Sequence, residues 1–223
     1  MTISIIVPVF NEEENLSHVL RVLQPFCQSG HEIIVVDGGS SDNSLMLAQQ
    51  AADVAIVSKP GRAIQMNSGA AVATGDTFLF LHADTKLPDD ASQLLSALDT
   101  EQFFWGHFDV RLSSHRTIFR LIEWLMNKRS RLTSIATGDQ AIFIERRLFE
   151  NIGGFPEIEL MEDIAMSRLL KKHLAPVCLK SKVTTSSRRW ETNGIVATVL
   201  LMWKLRLYYF IGVSPERLSQ LYR

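Results

Sequence analysis

The chain has 223 residues and a mass of 25.2 kDa, enough for one large domain that buries roughly 70% of its extended-chain surface. Apolar residues make up 46% and charged residues 21%, with only 12 Gly and 7 Pro, which excludes a disordered, collagen-like or low-complexity chain. The net charge of −1 conceals an asymmetry: residues 1–110 hold 14 Asp and Glu against 4 Lys and Arg (−10), and residues 111–223 hold 10 against 19 (+9). Such polarity fits either halves that attract each other in the fold or a basic side that meets an anionic surface. Cys27 and Cys178 show no metal-ligand spacing, so neither a disulfide framework nor a structural zinc site is expected and a reducing compartment fits. Met1 runs directly into an apolar segment without a basic leader, so a cytoplasmic location is expected.

Residues 3–10 form an apolar run without alternation, the pattern of a strand buried on both faces of a parallel sheet. Asn11 then caps a helix, Glu14 closes its capping box, and Leu16, Val19, Leu20 and Leu23 share one face before Pro25 ends it. Strands are predicted over 32–37, 53–57 and 77–83, with helices over 42–52 and 62–73. This alternation predicts a doubly wound, mostly parallel α/β sheet. Ligands of such sheets sit at the carboxyl ends of the strands, where Asn11, Asp37 and Asp84 fall. Beyond Leu87 the pattern is mixed: a helix over 88–98, a strand over 103–112, a basic helix over 115–131 and a strand over 140–144. A helical turn over 146–151, ended by Gly153-Gly154, and a helix over 162–172 follow. No repeat or linker divides the chain, so a single domain over 1–223 is expected.

No Gly-x-Gly-x-x-Gly follows the first strand and no Gly-x-x-x-x-Gly-Lys-Ser/Thr occurs, which argues against a dinucleotide oxidoreductase or a P-loop NTPase. The strands end instead in Pro8-Val9-Phe10-Asn11-Glu12-Glu13, in Val35-Val36-Asp37-Gly38-Gly39-Ser40-Ser41-Asp42 and in Phe80-Leu81-His82-Ala83-Asp84. These segments resemble the nucleotide-sugar half of glycosyltransferase family 2, inverting enzymes of the Rossmann-like GT-A fold. The likeness continues to Glu162-Asp163 and Arg188-Arg189-Trp190, covering about 190 residues, and extends to small members associated with arsenosugar-type biosynthesis. It implies a nucleotide-sugar half over 1–110 and an acceptor half with a helical C-terminal extension over 111–223.

A diphosphate brought to a carboxylate-rich edge meets like charge, and each such pair near 4 Å costs on the order of 4 kcal/mol at an effective dielectric of 20. A hard divalent ion, Mn2+ or Mg2+, held by Asp84 removes that repulsion; the competing reading makes Asp84 a turn residue before Pro88. The family's usual Asp-x-Asp stands here as His82-Ala83-Asp84, which leaves His82 as a metal ligand, a ribose partner or a core residue. The resemblance implies that Asp37 reads the base, with uridine favoured, although an Asp-Gly-Gly turn needs no ligand to exist. It also implies that Pro8, Val9, Asn11 and Glu12 line base and ribose, and that Arg62 and Asn67 underlie sugar and phosphates.

Inversion needs one base to take the acceptor's proton. The resemblance gives that role to Asp163, beside Glu162, with Asp139 as a secondary candidate; plain helix-terminal charge is the alternative for the acidic pair. Arg188 and Arg189 can neutralise the leaving diphosphate and Trp190 can stack on a sugar face, or the segment is a basic turn with a core tryptophan. Ser186 stands where processive synthases of the family carry glutamine, so processivity is not expected.

The stretch 195–210 is apolar but contains Lys204 and Arg206 and is too short for a comfortable bilayer crossing. With Ile118, Leu121, Ile122 and Leu125, backed by Arg116, Arg120, Lys128, Arg129 and Arg131, it forms either ordinary packing, including a homodimer contact, or an interfacial surface for anionic lipid or a lipid-linked acceptor. The resulting expectation is a metal-dependent inverting glycosyltransferase using a nucleotide-diphosphate sugar and a small-molecule or lipid-linked hydroxyl acceptor, cytoplasmic or peripheral to the inner membrane face, without a nucleic-acid partner. The alternative is a non-catalytic nucleotide-sugar-binding or lipid-recruited module on the same fold.

Overall fold

The computed structural model describes residues 1–99 and 101–222. Its first half alternates β1 (Ile3–Val9), α1 (Glu13–Gln28), β2 (Glu32–Asp37), α2 (Ser44–Ala51), β3 (Val54–Val57), α3 (Arg62–Val72) and β4 (Thr77–Phe80). A short β5 (Thr85–Lys86), α4 (Ala91–Ser96), β6 (Trp105–Leu112) and α5 (Thr117–Thr133) follow. After a 3-10 turn (Gly138–Gln140) come β7 (Ile142–Glu145), α6 (Arg146–Asn151), α7 (Glu162–Leu170) and β8 (Val177–Thr185). Three helices, α8 (Arg188–Asn193), α9 (Ile195–Phe210) and α10 (Pro215–Tyr222), end the chain.

The eight strands form one sheet in the order β3-β2-β1-β4-β7-β6-β8-β5. The first four are parallel, with Ile5 beside both Ile33 and Leu79; β7 then pairs antiparallel with β4 and β6. The fold is thus α/β with a mostly parallel first half and a mixed second half, as expected. The chain leaves β1 toward β2 and β3 and returns to β4 on β1's other edge. This reversal opens a crevice between the carboxyl ends of β1 and β4, where ligands of α/β sheets bind.

Strand alternation divides the core. Ile3, Ile5, Val7 and Val9 face α1, whose Leu16, Val19, Leu20, Leu23 and Phe26 are buried against them. Ile6, Ile34, Val36, Phe78 and Phe80 face the opposite way. There Phe80 meets Phe155 edge-on at 4.8 Å and Phe78 meets Phe149 at 5.3 Å between ring centroids. α3 lies so close to β1 that a Cβ on Gly69 would come within 2.5 Å of the Ile6 side chain.

Several sequence expectations are corrected. Pro25 does not end α1: the helix runs another turn because Phe26 is buried, and it stops at Ser29 and Gly30, whose φ of +83° provides the turn. Asn11 does not cap α1; it adopts φ +53° and the N-cap is Glu12, without a side-chain capping bond. β4 ends at Phe80 rather than 83, where a turn closed by the Thr85 N–H on the His82 carbonyl (3.0 Å) takes over. Gln140 lies in the 3-10 turn rather than in β7. β8 was not anticipated, because Lys180 and Lys182 interrupt its apolar pattern.

α5 covers β6 with polar groups that substitute for strand neighbours. Asn127 bonds both the N–H (2.8 Å) and the carbonyl (3.0 Å) of Val110, and Glu123 accepts from the Leu112 N–H at 2.7 Å. Arg120 pairs with that Glu123 at 2.9 Å and Arg131 with Asp109 at 2.8 Å, so these two cations serve the fold rather than an exposed basic face, and Ile122 is buried.

At Gly106 in β6 a Cβ would stand 2.1 Å from the Val177 carbonyl oxygen and 2.5 Å from the Phe143 ring. Gly106→Ala is therefore expected to destabilise the chain by about 1–3 kcal/mol, read as a lower urea midpoint with unchanged m-value.

Candidate active site

The β1 and β2 loops are stitched together at the crevice. The Asn11 N–H donates to Ser40 Oγ at 2.9 Å, Asn11 Oδ1 accepts from the Ser41 N–H at 2.8 Å, and the Glu12 N–H donates to Ser44 Oγ at 2.9 Å. Asn11 tolerates its left-handed backbone because a short polar side chain relieves that conformation locally. Asp37 Oδ1 accepts from the N–H groups of Gly39 and Ser40, both at 2.7 Å, while Oδ2 is buried without a partner. A buried orphan acceptor costs free energy until a donor reaches it. Gln65, which sequence reasoning missed, donates to the carbonyls of Val9 (2.8 Å) and Val36 (2.9 Å) and so fixes the ends of β1 and β2.

Across the crevice, His82 Nδ1 faces Asp139 Oδ1 at 3.5 Å, and a Cβ on Gly138 would lie 2.3 Å from His82 Nε2. The imidazole is thus wedged between Asp139 and the Gly138 backbone. Enclosure works against ionisation of Asp139, but His82, Arg62 and Arg206 outweigh it and hold the carboxyl below its ordinary range. Asp84 is half-buried; its Oδ1 accepts from the Thr85 hydroxyl at 3.2 Å.

Glu162 and Asp163 open α7. Asp163 is held by backbone donors: Oδ2 accepts from Gly138 N–H at 2.9 Å and Oδ1 from Ile164 N–H at 2.7 Å. Met161, immediately before them, has φ +71°, unusual for a long side chain. Glu162 is buried and pairs with Arg62 at 3.0 Å. Burial raises the Glu162 carboxyl, partly countered by Arg62. Desolvation opposes the Arg62 charge, yet Glu162, Tyr222, Asp163 and Asp139 together raise its pKa above the ordinary guanidinium value.

These groups surround a cleft of about 320 Å³. Of the predicted residues, its walls bring together Glu12, Arg62, His82, Asp84, Asp139, Glu162, Asp163, Arg188, Arg189 and Trp190. A second opening of about 450 Å³ adds Pro8, Val9 and Ala83 and shares Glu12, Arg62, His82 and Asp84 with the first. Asn11 lines a smaller side recess beside Arg188. Asp37, at the end of β2, is buried and lines neither opening. Asn67 stands outside these openings: its amide is taken up by the Phe155 carbonyl (2.9 Å) and N–H (2.8 Å).

Sequence reasoning also missed Tyr222 and Arg206. Arg189 donates to the Tyr222 carbonyl at 2.9 Å and lies 3.7 Å from its ring centroid, which ties α10 over the cleft. Thr198, Met202, Leu205 and Arg206 line the cleft from α9, and their spacing of four, three and one is the signal that places Arg206 on an inward helical face.

A divalent cation fits the donor set at this edge. Hard ions that bind with substrate phosphates need only one or two protein carboxylates, and Asp84 offers one with a free oxygen. Among the described residues no group of three His, Cys, Asp or Glu converges, so such an ion would complete its shell from phosphate and water. His82 Nδ1 is turned toward Asp139 at 3.5 Å.

The family model described as glycosyl transferase family 2 matches residues 4–151, more than half of the chain. The chain belongs to glycosyl transferase family 2. Among solved structures, this family member is similar to S. aureus TarS 1-349 in complex with UDP-GlcNAc (TM-score 0.64, 21% identity, covering 83% of this chain and 58% of that one). It also resembles the mannosyltransferase PcManGT from Pyrobaculum calidifontis in complex with GDP-Man and Mn2+ (0.61, 19%, 82% and 56%). A third is glucosyl-3-phosphoglycerate synthase from Mycobacterium tuberculosis with Mn2+, UDP and glucosyl-3-phosphoglycerate (0.58, 18%, 81% and 70%). The family 2 chain thus spans about three-fifths of TarS 1-349 and shares its fold.

Because a methyl at position 138 and the His82 ring cannot occupy the same space, Gly138→Ala is expected to displace the imidazole and break its contact with Asp139 while the fold persists. Changed His82 ring C–H shifts in NMR, with an unaltered circular-dichroism spectrum, would check this.

Proposed function

We propose that the chain transfers a sugar from a nucleotide-diphosphate sugar to a hydroxyl acceptor with inversion at the anomeric carbon. The observation that carries this reading is that Asp84 and Asp163, distant in sequence, line one cleft at the sheet's switch point. The ligands named for TarS, PcManGT and the glucosyl-3-phosphoglycerate synthase support the donor class.

Pro8, Val9 and Glu12 line base and ribose, and the imide N–H of the base, uracil by preference, is the donor that the buried, unpartnered Asp37 Oδ2 would take if the Gly38–Ser40 turn admits it. Asp84 holds the Mn2+ or Mg2+, which when bound neutralises the diphosphate and stabilises it as a leaving group. Arg62 and Arg188 add positive charge beside the phosphates, and Trp190 offers a face for a sugar. Asp163 removes the acceptor's proton, its carboxylate aimed by the Gly138 and Ile164 N–H groups. In one displacement the acceptor O–H bond breaks, the new C1–O bond forms and the C1–O bond to the diphosphate breaks. The nucleoside diphosphate leaves with the electron pair, the proton stays on Asp163, and the single displacement inverts C1.

Asp163→Asn is expected to lower turnover by about 10²–10⁴ while sparing nucleotide binding, and Asp84→Asn to weaken both turnover and Mn2+-dependent nucleotide binding, measured by transfer assay and calorimetry. Full activity in both variants would remove the assignment; nucleotide-sugar binding without turnover in the wild type would favour a binding module.

We also propose that α5 and α9 dock on an anionic bilayer. Leu121, Trp124 and Leu132 on α5, and Leu200, Trp203 and Phe210 on α9, are each more than half exposed. Exposed apolar side chains of this kind, with a tryptophan on each helix, suit a membrane interface. Charge supports an anionic surface, since neither helix exposes an acidic side chain while Lys128 and Lys204 are exposed. Among the described residues no helix is long and apolar enough to cross a membrane. Co-sedimentation with phosphatidylglycerol vesicles should occur at low salt, weaken at high salt and fall several-fold in a Trp124→Ser, Trp203→Ser double variant. A dimer disrupted by the same variant, without vesicle binding, would instead assign the face to a second copy.

A further inference from the structure

Two guanidinium groups, Arg206 in the cleft wall and Arg129 behind it, have no task in the transfer just described. Arg206 follows the fully buried Leu205 on the inner face of α9 and lines the cleft with Asp139 and Asp163, but not the donor-side opening of Pro8, Val9 and Ala83. Arg129, one turn before the end of α5, is close enough to feel the charges of Arg206, Asp163 and Asp139. Its Nε and Nη2 are buried without a hydrogen-bond partner. Neither side chain makes an ion pair among the described residues.

The other guanidiniums of the cleft are engaged. Arg62 holds Glu162 at 3.0 Å, Arg189 holds the Tyr222 carbonyl at 2.9 Å, and Arg188 reaches Glu14 at 3.5 Å. Burial pushes both Arg129 and Arg206 down, Arg129 to about 10 with Arg206 adding to the effect. Structural arginines are normally paired, because an unpaired buried cation costs free energy. Two like charges held together beside a general base are a cost that an anion of the ligand would offset.

We propose that the hydroxyl acceptor carries an anionic group, a phosphate or a carboxylate, that seats on Arg129 and Arg206 while its hydroxyl reaches Asp163. This rests on the glycosyl-transfer reading above. Planar guanidinium forks suit both oxyanions and fix their orientation as well as their charge. The acceptor is therefore anchored at its charged end, and the reacting hydroxyl is a few atoms away, as effective positioning of two reactants requires.

The test uses the full chain saturated with Mn2+ and whichever of UDP or GDP binds. Glycerol 3-phosphate, D-glycerate and glycerol are titrated by calorimetry into wild type, Arg206→Gln, Arg129→Gln and the distant control Lys172→Gln. At least one anion should bind wild type and the control, bind both arginine variants at least about tenfold more weakly, as expected for loss of a charge-assisted hydrogen bond, and glycerol should not bind. The stronger of the two anions identifies phosphate or carboxylate. Without any anion, both arginine variants should melt above wild type, since each removes repulsion; a structural role would lower their melting temperature. The inference is overturned if the nucleotide binds but neither anion does, if the arginine variants keep wild-type anion affinity, or if glycerol binds as well as the anions. Anion binding that depends on both arginines, with no nucleotide binding at all, would uphold the anion site and remove the glycosyl-transfer reading instead.

Discussion

One ion pair joins the two walls of the cleft. Arg62, at the start of α3, holds Glu162, at the start of α7, and Glu162 is buried. A buried carboxylate needs that partner, because a lone charge away from water is far more costly than a paired one. The contact fixes the first turn of α7, and the neighbouring Asp163 is oriented with it. The parallel half contributes Arg62 and the mixed half contributes Glu162, so the two halves close on one cleft.

This pair also inverts the bulk polarity of the chain. One of the few cations of the acidic half grips an acid of the basic half. Other contacts across the halves follow the overall charge, as in Arg131 with Asp109 and Arg188 with Glu14. Part of the positive charge of residues 111–223 serves the fold. Arg120 and Arg131 fasten α5, Arg146 bonds the carbonyls of Ala73 and Gly75, and Arg189 fastens α10.

The parallel half was legible because buried strands and amphipathic helices have distinct periods, and the strand-end motifs fell at the crevice. What escaped was set by tertiary contact. Pro25 was read as a stop because the local rule against proline within helices is strong, but burial of Phe26 carries α1 past it. β8 hides behind lysines on its exposed face. Asn67 fitted a family segment, yet the Phe155 backbone occupies its amide. The sequence left His82 open as metal ligand, ribose partner or core residue, because only the fold brings its Nδ1 to face Asp139. Arg129 and Arg206 could not be read as partners because their proximity arises only when α5 and α9 fold together.

Met161 adds a constraint of another kind. Its left-handed backbone is a conformation that glycine adopts freely and methionine resists, yet the residue also sends a buried side chain into the cluster with Leu205 and Leu218. Relaxing the turn with glycine would remove that anchor, and keeping the anchor retains the tension. Robustness and aim are thus opposed at a single position, so sequence changes that toughen this corner come at the expense of how sharply the adjacent acid is pointed.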